Sequence, residues 1–271
     1  MSQEYIYHYT SVESLYGMLL DPTAEEKRII GQMSDCPRCL YFHAGDIKAM
    51  NDKSENMLLD ELVKLISETT PPEIIGSSNI NEMKFAVSFC TEQDYLPMWK
   101  IYATNGKGVC LRFKREGFEE SVFSVNTSRF ITMKAGDCQY KTEAELKDYV
   151  NSIVKHFREI TEPKSLILQI DSFCGTSSFF KLKPFEYEKE FRLAISSKFN
   201  QQITSGGQYG LIVYYPVAIP LNLVDEIMIG PSPNQDVIEN GIRALLLSKG
   251  IDKLKRYDID INIVRSSLLI R

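Results

Sequence analysis

The sequence lacks a long apolar segment. Its most apolar stretch, residues 211–224, is interrupted by Pro216, Pro220 and Asn222 and falls short of the ~18 apolar residues that a membrane-spanning helix needs. The first residues include no basic region that leads into an apolar run, so a signal peptide is not expected. We therefore expect a cytoplasmic protein without contact to a membrane.

An excess of charge of one sign is also missing. The chain has 31 basic and 36 acidic residues among 271, a formal net charge of −5. This mild acidity argues against a broad electrostatic surface for nucleic acid and leaves only a local basic groove, to which four residues could contribute: Lys100, Lys107, Arg112 and Lys114. The content of 44% hydrophobic and 25% charged residues excludes a disordered, collagen-like or coiled-coil chain.

Histidine is scarce, and the six cysteines do not complete a metal site. Cys36 and Cys39 with His43 have zinc-like spacing, but a closed structural site needs a fourth ligand, and no second pair at such spacing follows. A redox-active pair would need a strand-to-helix setting that the sequence does not predict here. We expect reduced thiols and no metal.

The predicted elements mix helices and strands without strict βαβ alternation, which favours an α+β fold over a doubly wound sheet. Strands are predicted at residues 5–9, 40–42, 83–90, 109–113, 187–195, 209–215, 226–229 and 259–264. Helices are predicted after the capping sequences at residues 10–13 and 142–145, and at residues 57–66, 94–103, 165–180 and 235–248. The only plausible linker, residues 71–81, is too short to require two domains, so we predict a single domain over residues 1–271.

A helix at residues 94–103 carries the single tryptophan. Trp99 is expected to anchor the core, whereas Tyr102, with its polar hydroxyl, suits either a core position or a ligand. The glycine-rich turn that follows, residues 105–108, leads into a strand and lacks the pattern of a phosphate-binding loop, so a nucleoside triphosphatase is not expected.

Two patterns point to chemistry, and each has a structural alternative. His8 lies in a strand between tyrosines, where a histidine is commonly a satisfied core or edge residue. Alternation along a predicted strand places Glu188, Glu190 and Arg192 on one face, an arrangement typical of acid–base or electrostatic work. The alternative is a solvated edge strand whose glutamates pair with nearby cations, namely Lys181, Lys183, Lys189 or Arg192.

Several short motifs, taken in order, resemble an uncharacterised bacterial family defined as a domain of unknown function. They extend from about residue 5 to residue 265 and comprise Tyr7-His8-Tyr9-Thr10-Ser11, Asn51-Asp52 with Glu55, Ser88-Phe89, Met98-Trp99 with Tyr102, Gly108-Val109-Cys110, Tyr187-Glu188-Lys189-Glu190-Phe191-Arg192 and Ile229-Gly230-Pro231.

An opening strand with a histidine, a middle strand with a serine and a late Glu-x-Glu strand are similar to the ADP-ribosyltransferase superfamily. The resemblance implies a split, mostly antiparallel sheet with helices on its faces and NAD as substrate. It also implies five residues that contact NAD: His8, Tyr9, Thr10, Ser88 and Tyr102. Of these, His8 would contact a ribose and Tyr102 would stack on nicotinamide. Glu190 would be the catalytic carboxylate, and Glu188 would orient or deprotonate the acceptor. Neutral His8 would donate a hydrogen bond to a ribose hydroxyl or bridging oxygen.

The resemblance therefore predicts NAD-dependent ADP-ribosyl transfer, or NAD hydrolysis, in bacterial conflict or phage defence. The acceptor would be an unidentified protein or nucleic acid. One alternative is a binding module of the same fold in which His8 and Glu190 are structural, and another is a protein that binds or modifies nucleic acid. The enzyme interpretation requires that His8 and Glu190 meet in one cleft.

Overall fold

The structure is a computed structural model that describes residues 4–31, 38–49, 64, 66, 68, 70–78, 82–128, 131–197, 201–207, 210–251 and 261–268. Its strands are β1 Tyr5–Thr10, β2 Cys39–Asp46, β3 Met83–Cys90, β4 Val109–Lys114, β5 Ile131–Asp137, β6 Gln139–Lys141, β7 Phe180–Leu182, β8 Glu190–Ser197, β9 Ile203–Gly207, β10 Gly210–Pro220, β11 Val224–Ile229 and β12 Asn262–Arg265. Its helices are α1 Val12–Met18, α2 Ala24–Ile30, α3 Pro72–Ser77, α4 Leu96–Ile101, α5 Phe118–Val125, α6 Glu143–Glu159, α7 Pro163–Ser177 and α8 Gln235–Ser248.

One large sheet organises the chain. Its strands follow the order β12-β11-β4-β1-β3-β2-β10-β9, and β8 pairs with both β3 and β5. Within the described residues, the pairs are antiparallel except β11 with β12 and, in a separate two-stranded sheet, β6 with β7. The predicted α+β class with a mainly antiparallel sheet is confirmed. The single domain over residues 1–271 stays a prediction.

The sheet divides at β3, which has three partners but only two edges. β8 covers one edge along the whole strand, from Met83 to Cys90. On the other edge, β1 pairs only at Tyr7↔Cys90, and β2 pairs only at the opposite end, with Phe85 and Ala86. Between these two contacts lies an open edge at residues 87–89, called here the β3 gap. The gap positions the site described below.

The main core lies between the sheet and helices α1, α2, α5 and α8. Phe89, Phe113 and Phe118 pack edge to face at its centre, with ring centroids 5.3–6.2 Å apart. A second apolar cluster joins α6 and α7. Trp99 belongs to a third apolar cluster, where it is fully buried and its indole donates to Asp94 over 2.8 Å. The expected core anchor is confirmed.

The turn before β4 requires close backbone approach. A Cβ atom on Gly108 would lie 2.1 Å from the carbonyl oxygen of Thr10, and one on Gly230 would lie 2.3 Å from that of Gly106. Gly106 itself has φ +83°, in the left-handed region that favours glycine. The glycines of residues 105–108 therefore allow β4 and β1 to meet, and the predicted turn into a strand is confirmed.

Several predicted boundaries were wrong. Ser11, not Thr10, caps α1, because its side chain accepts from the amide of Ser14. The strand predicted at 187–195 begins at Glu190, since residues 183–188 form a 3₁₀ helix that Lys189 ends with φ +45°. The helix predicted at 165–180 is α7, and the strand predicted at 209–215 continues to Pro220.

Some elements were not predicted, and some predictions fall elsewhere. The unpredicted elements are α2, α3, α5, β5, β6, β7 and β9. Most of the helix predicted at 57–66 and the start of the strand predicted at 259–264 lie outside the described residues, as do Cys36, Asn51, Asp52 and Glu55. Among the helices that are described, none is long and apolar enough to cross a bilayer.

Candidate functional site

A cavity of about 880 Å³ opens at the β3 gap. β1 and α1 line one wall, β2 lines another, and β3 residues 86–90 line the floor. Its volume lies within the range of roughly 300–1,000 Å³ that is usual for small-molecule sites. The cavity is therefore the natural place to look for the predicted site residues.

Two carboxylates and two cations meet where β8 reaches this cavity. The group consists of Lys181, Glu188, Glu190 and Arg192 and is called here the charge cluster. Lys181 Nζ lies 2.5 Å from Glu188 Oε2 and 2.9 Å from Glu190 Oε2. Arg192 Nε donates to Glu190 Oε1 over 2.8 Å, and its Nη2 donates to Oε2 over 3.0 Å. All four residues are buried and line the cavity.

Glu190 is held in its ionised form. Burial alone would raise the pKa of its carboxyl, but Arg192, Lys181 and a hydrogen bond from the Ser88 side chain outweigh burial and lower it to about 2. The Tyr140 hydroxyl accepts from the Glu190 amide over 2.7 Å and fixes the start of the strand. The carboxylate is thus charged at neutral pH and held in one position.

Glu188 reaches the cluster by a route that the sequence did not predict. Strand alternation was expected to place it on the same face as Glu190, but Glu188 ends the 3₁₀ helix at 183–188 and lies before the strand. Pro184 lies in the first turn of that helix, and Lys189 ends it with a left-handed backbone conformation, φ +45°. The expected solvated edge strand is also wrong, because β8 is buried between β3 and β5. Its expected ion pairs with Lys181 and Arg192 are present.

Tyr102 joins the same cluster through its hydroxyl. The residue follows the last turn of α4, and its hydroxyl donates to Glu188 Oε1 over 2.8 Å. Burial and the neighbouring Glu188 carboxylate raise the pKa of the phenol, so it stays protonated. Tyr102 lines the cavity and is 37% exposed. The role of the ring as a nicotinamide stack stays a prediction.

His8 lines the same cavity as Glu190, although it approaches from a different strand face. The register Tyr7↔Cys90↔Glu190 aligns these three residues in one row, so alternation assigns His8 to the opposite face. Because β1 and β3 separate beyond Tyr7, the imidazole enters the gap, where Nδ1 lies 2.9 Å from the carbonyl oxygen of Ser88. The two residues thus share one cavity, as the enzyme interpretation requires.

The imidazole of His8 is neutral at physiological pH. Burial lowers its pKa to about 4, against a smaller opposite effect of the hydrogen bond to Ser88. A carbonyl oxygen accepts only, so Nδ1 carries the proton and Nε2 keeps its lone pair. In this tautomer Nε2 is an acceptor, whereas the sequence analysis expected a donor, and the contact with a ribose stays a prediction.

The other expected NAD contacts occupy different positions around the gap. Ser88 connects both sides, since its carbonyl accepts from His8 and its side chain bonds Glu190. Tyr9 lines the cavity, but its hydroxyl donates to the carbonyl of Glu92 and accepts from the amide of Tyr95. Thr10 is buried at the end of β1 and also lines the cavity.

Sequence reasoning missed the residues on the β2 side of the cavity. Glu26, His43 and Tyr214 meet there, with Glu26 Oε1 2.9 Å from His43 Nε2 and 3.2 Å from the Tyr214 hydroxyl. In the sequence, His43 is noticeable only for its zinc-like spacing from Cys36 and Cys39. The spacing Thr23-x-x-Glu26 is the one available sequence signal, but it is a capping box for α2 and would not by itself reveal the contact with His43.

Two further expectations concern metal and nucleic acid. Among the described residues, no group of three or more histidine, cysteine, aspartate or glutamate side chains is arranged to hold a metal ion. The four residues of the proposed basic groove all lie in described segments, and none of them lines the cavity. Arg112 is engaged with Asp225 and, over 3.2 Å, with Glu226.

The comparison with protein families agrees with the resemblance to an uncharacterised family. Residues 98–193 match the model of a family described as "Protein of unknown function (DUF2971)", which confirms the resemblance to an uncharacterised family. A search of curated proteins found no match. Among solved structures, "Thermus sp. 2.9 DarT in complex with NAD+" is similar, with 14% identity over 100% of this chain and 99% of that chain. The TM-score is 0.32.

Proposed function

We propose that the chain binds NAD in the cavity at the β3 gap and cleaves the bond between nicotinamide and ribose. The ADP-ribose passes to an acceptor, a protein or a nucleic acid, or to water. The observation that carries this proposal is the ionised carboxylate of Glu190, which lines a ligand-sized cavity together with a neutral histidine. The setting of bacterial conflict or phage defence follows from the sequence resemblance.

The chemistry requires a fixed negative charge near the anomeric carbon. As the C–N bond breaks, its electron pair goes to the pyridinium ring, which leaves as neutral nicotinamide, and positive charge builds on the ribose. The acceptor X–H then forms the X–C bond and releases its proton, to Glu188 where that residue acts as the base or otherwise to solvent. A carboxylate that is already held in position stabilises that charge without reorganising during the reaction. Glu190 meets this requirement, since Arg192 and Lys181 hold both its oxygens.

The remaining residues receive distinct roles in this proposal. His8 accepts a hydrogen bond from a ribose hydroxyl at Nε2, because its Nδ1 proton is engaged with Ser88. Tyr102 offers its partly exposed ring to the nicotinamide. Glu188 orients or deprotonates the acceptor, while Tyr9 and Thr10 form the wall of the NAD site.

One observation favours a second candidate, a binding module without catalysis. Both oxygens of Glu190 accept hydrogen bonds from cations, and the four charges of the cluster sum to zero. In that case the cluster supports the floor of a nucleotide site and takes no part in bond cleavage. The two candidates share NAD binding and differ in turnover.

Purified protein incubated with labelled NAD separates these candidates. With the label on adenine, transfer produces a labelled macromolecule when cell lysate is added, and hydrolysis produces free ADP-ribose without it. Release of nicotinamide in either arm supports the enzyme. Binding of NAD by calorimetry without nicotinamide release supports the binding module, and absence of both contradicts both candidates.

A further inference from the structure

A stacked pair of rings forms part of the cavity wall on the β2 side. The rings of His43 and Tyr214 lie with centroids 3.9 Å apart and planes 26° from parallel. Tyr214 is buried, whereas the His43 side chain is 55% exposed. Tyr214 therefore covers one face of an imidazole that is otherwise half exposed, and both residues line the cavity.

Glu26 fixes the orientation of this pair. Its Oε2 accepts from the amide of Thr23 at the start of α2, and its Oε1 contacts both His43 Nε2 and the Tyr214 hydroxyl. Burial alone would raise the pKa of this carboxyl, but the hydrogen bonds from Thr23 and His43 outweigh burial and lower it, so Glu26 is ionised. An ionised carboxylate accepts only, which places a proton on His43 Nε2.

We infer that His43, stacked on Tyr214 and oriented by Glu26, is a platform on which the adenine base of a nucleotide stacks. A flat ring held at a fixed angle binds a base through its face, and such stacking does not require hydrogen bonds to the base edge. Leu20, an exposed apolar side chain, lines the same cavity and gives the base a further apolar surface. The inference names the adenine end of the proposed NAD site and rests on that proposal.

The position of the platform suits a ligand with two ring systems. His43 belongs to β2, which leaves β3 after the pair Gly45↔Ala86, whereas Glu190 lies beside Cys90 at the other end of the gap. The four residue-to-residue steps of β3 from position 86 to position 90 correspond to roughly 13 Å along the strand. Nicotinamide at the charge cluster and adenine at His43 would thus occupy opposite ends of one cavity.

Calorimetric titration of the full chain with adenosine, AMP and nicotinamide mononucleotide tests the platform. His43→Ala should weaken adenosine and AMP binding by at least about fivefold, the lower end of what loss of a stacking ring produces, and leave nicotinamide mononucleotide unchanged. His43→Phe keeps a ring and should bind within about twofold of the wild type. His156→Ala, at an exposed position on α6, is the matched control and should change nothing.

The outcomes separate this inference from the proposed reaction. Wild-type protein that binds neither adenosine nor AMP, or a His43→Ala variant that binds them normally, overturns the platform even if NAD is cleaved elsewhere in the cavity. A His43→Phe variant as weak as His43→Ala overturns it too, since the polar edge rather than the ring face would be responsible. Adenosine binding that depends on the ring at position 43, without nicotinamide release from NAD, supports the platform and contradicts the proposed catalysis.

Discussion

Replacing Glu190 with glutamine removes one charge from the charge cluster and keeps the shape of the side chain. A pKa of about 2 in place of the ordinary 4.5 corresponds to roughly 3 kcal/mol in favour of the ionised, paired carboxylate. Glu190→Gln should therefore lower the free energy of unfolding at neutral pH by about 3 kcal/mol. Within the charge cluster, the variant keeps Glu188, which is paired with Lys181, as the remaining carboxylate.

The same change should reduce catalysis more than it reduces binding. If the charge of Glu190 acts on the oxocarbenium-like ribose, both transfer and hydrolysis should fall by 10²-fold or more, on the order of 3 kcal/mol. NAD affinity should survive, because the carboxylate acts on the transition state rather than on the ground state. Kinetics with labelled NAD, at a temperature where the variant is folded, measure the first effect, and calorimetry measures the second.

The stability effect has a defined pH window. Between pH 4.5 and pH 2, Glu190 is protonated in the unfolded chain but still ionised in the folded one. The contribution of its ionised carboxylate to the free energy of unfolding is therefore present above pH 4.5 and disappears as the pH falls towards 2. The difference between wild type and Glu190→Gln should shrink over that interval. Denaturant unfolding at several pH values provides the measurement.

Glu226→Gln is the matched control for Glu190→Gln. Glu226 is also buried and paired with an arginine, Arg112, but it lies on β11 and does not line the cavity. Burial raises the pKa of Glu226, so loss of its charge should cost little stability, and turnover should be unchanged. Wild-type turnover in Glu190→Gln, or a defect confined to a lower melting temperature, would refute the catalytic role of Glu190 and leave it as a structural ion pair.

Four other changes test separate parts of the structure. Glu188→Gln should impair transfer to an acceptor and leave residual NAD hydrolysis; equal loss of both in the labelled-NAD assay would contradict an acceptor role. His8 is neutral in the fold to about pH 4, so wild-type stability should fall as the pH drops from 6.5 to 4, and His8→Gln should flatten that slope in denaturant titrations. Gly108→Ala should lower the melting temperature strongly, because the added Cβ meets a carbonyl oxygen. Gly241→Ala should raise the free energy of unfolding by about 0.5–1 kcal/mol, because a Cβ at this position of α8 meets no other atom and alanine favours a helix more than glycine does. Metal analysis of protein purified without added zinc should show well under one equivalent, and stoichiometric zinc whose removal unfolds the chain would reverse that expectation.

Local signals predicted the elements that depend on them. β3 at residues 83–90 and α8 at residues 235–248 were predicted with their observed ends, and the capping box of Thr142 and Glu145 starts α6 as expected. These features arise from residues a few positions apart. The sequence therefore contained the information needed to find them.

The site could be predicted only in part. Glu188 and Glu190 were recognised from their spacing, yet strand alternation misplaced Glu188 because Lys189 adopts a left-handed conformation that ordinary residues rarely take. The direction of the His8 hydrogen bond depends on the carbonyl of Ser88, 80 positions away. The β3 gap depends on where β1 and β2 each diverge from β3, which no local pattern encodes.

The neutrality of the charge cluster limits how this site can change through mutation. Replacing any one of Lys181, Glu188, Glu190 and Arg192 with an apolar residue leaves an uncompensated charge away from water, which is strongly destabilising. Replacing one cation and one carboxylate together restores the balance. A variant chain that lacks Lys181 should thus be recovered most readily when one of the two glutamates is also lost. Selection for folded protein from a library randomised at the four positions should return these paired replacements, so the route between folded variants at this site passes through double substitutions.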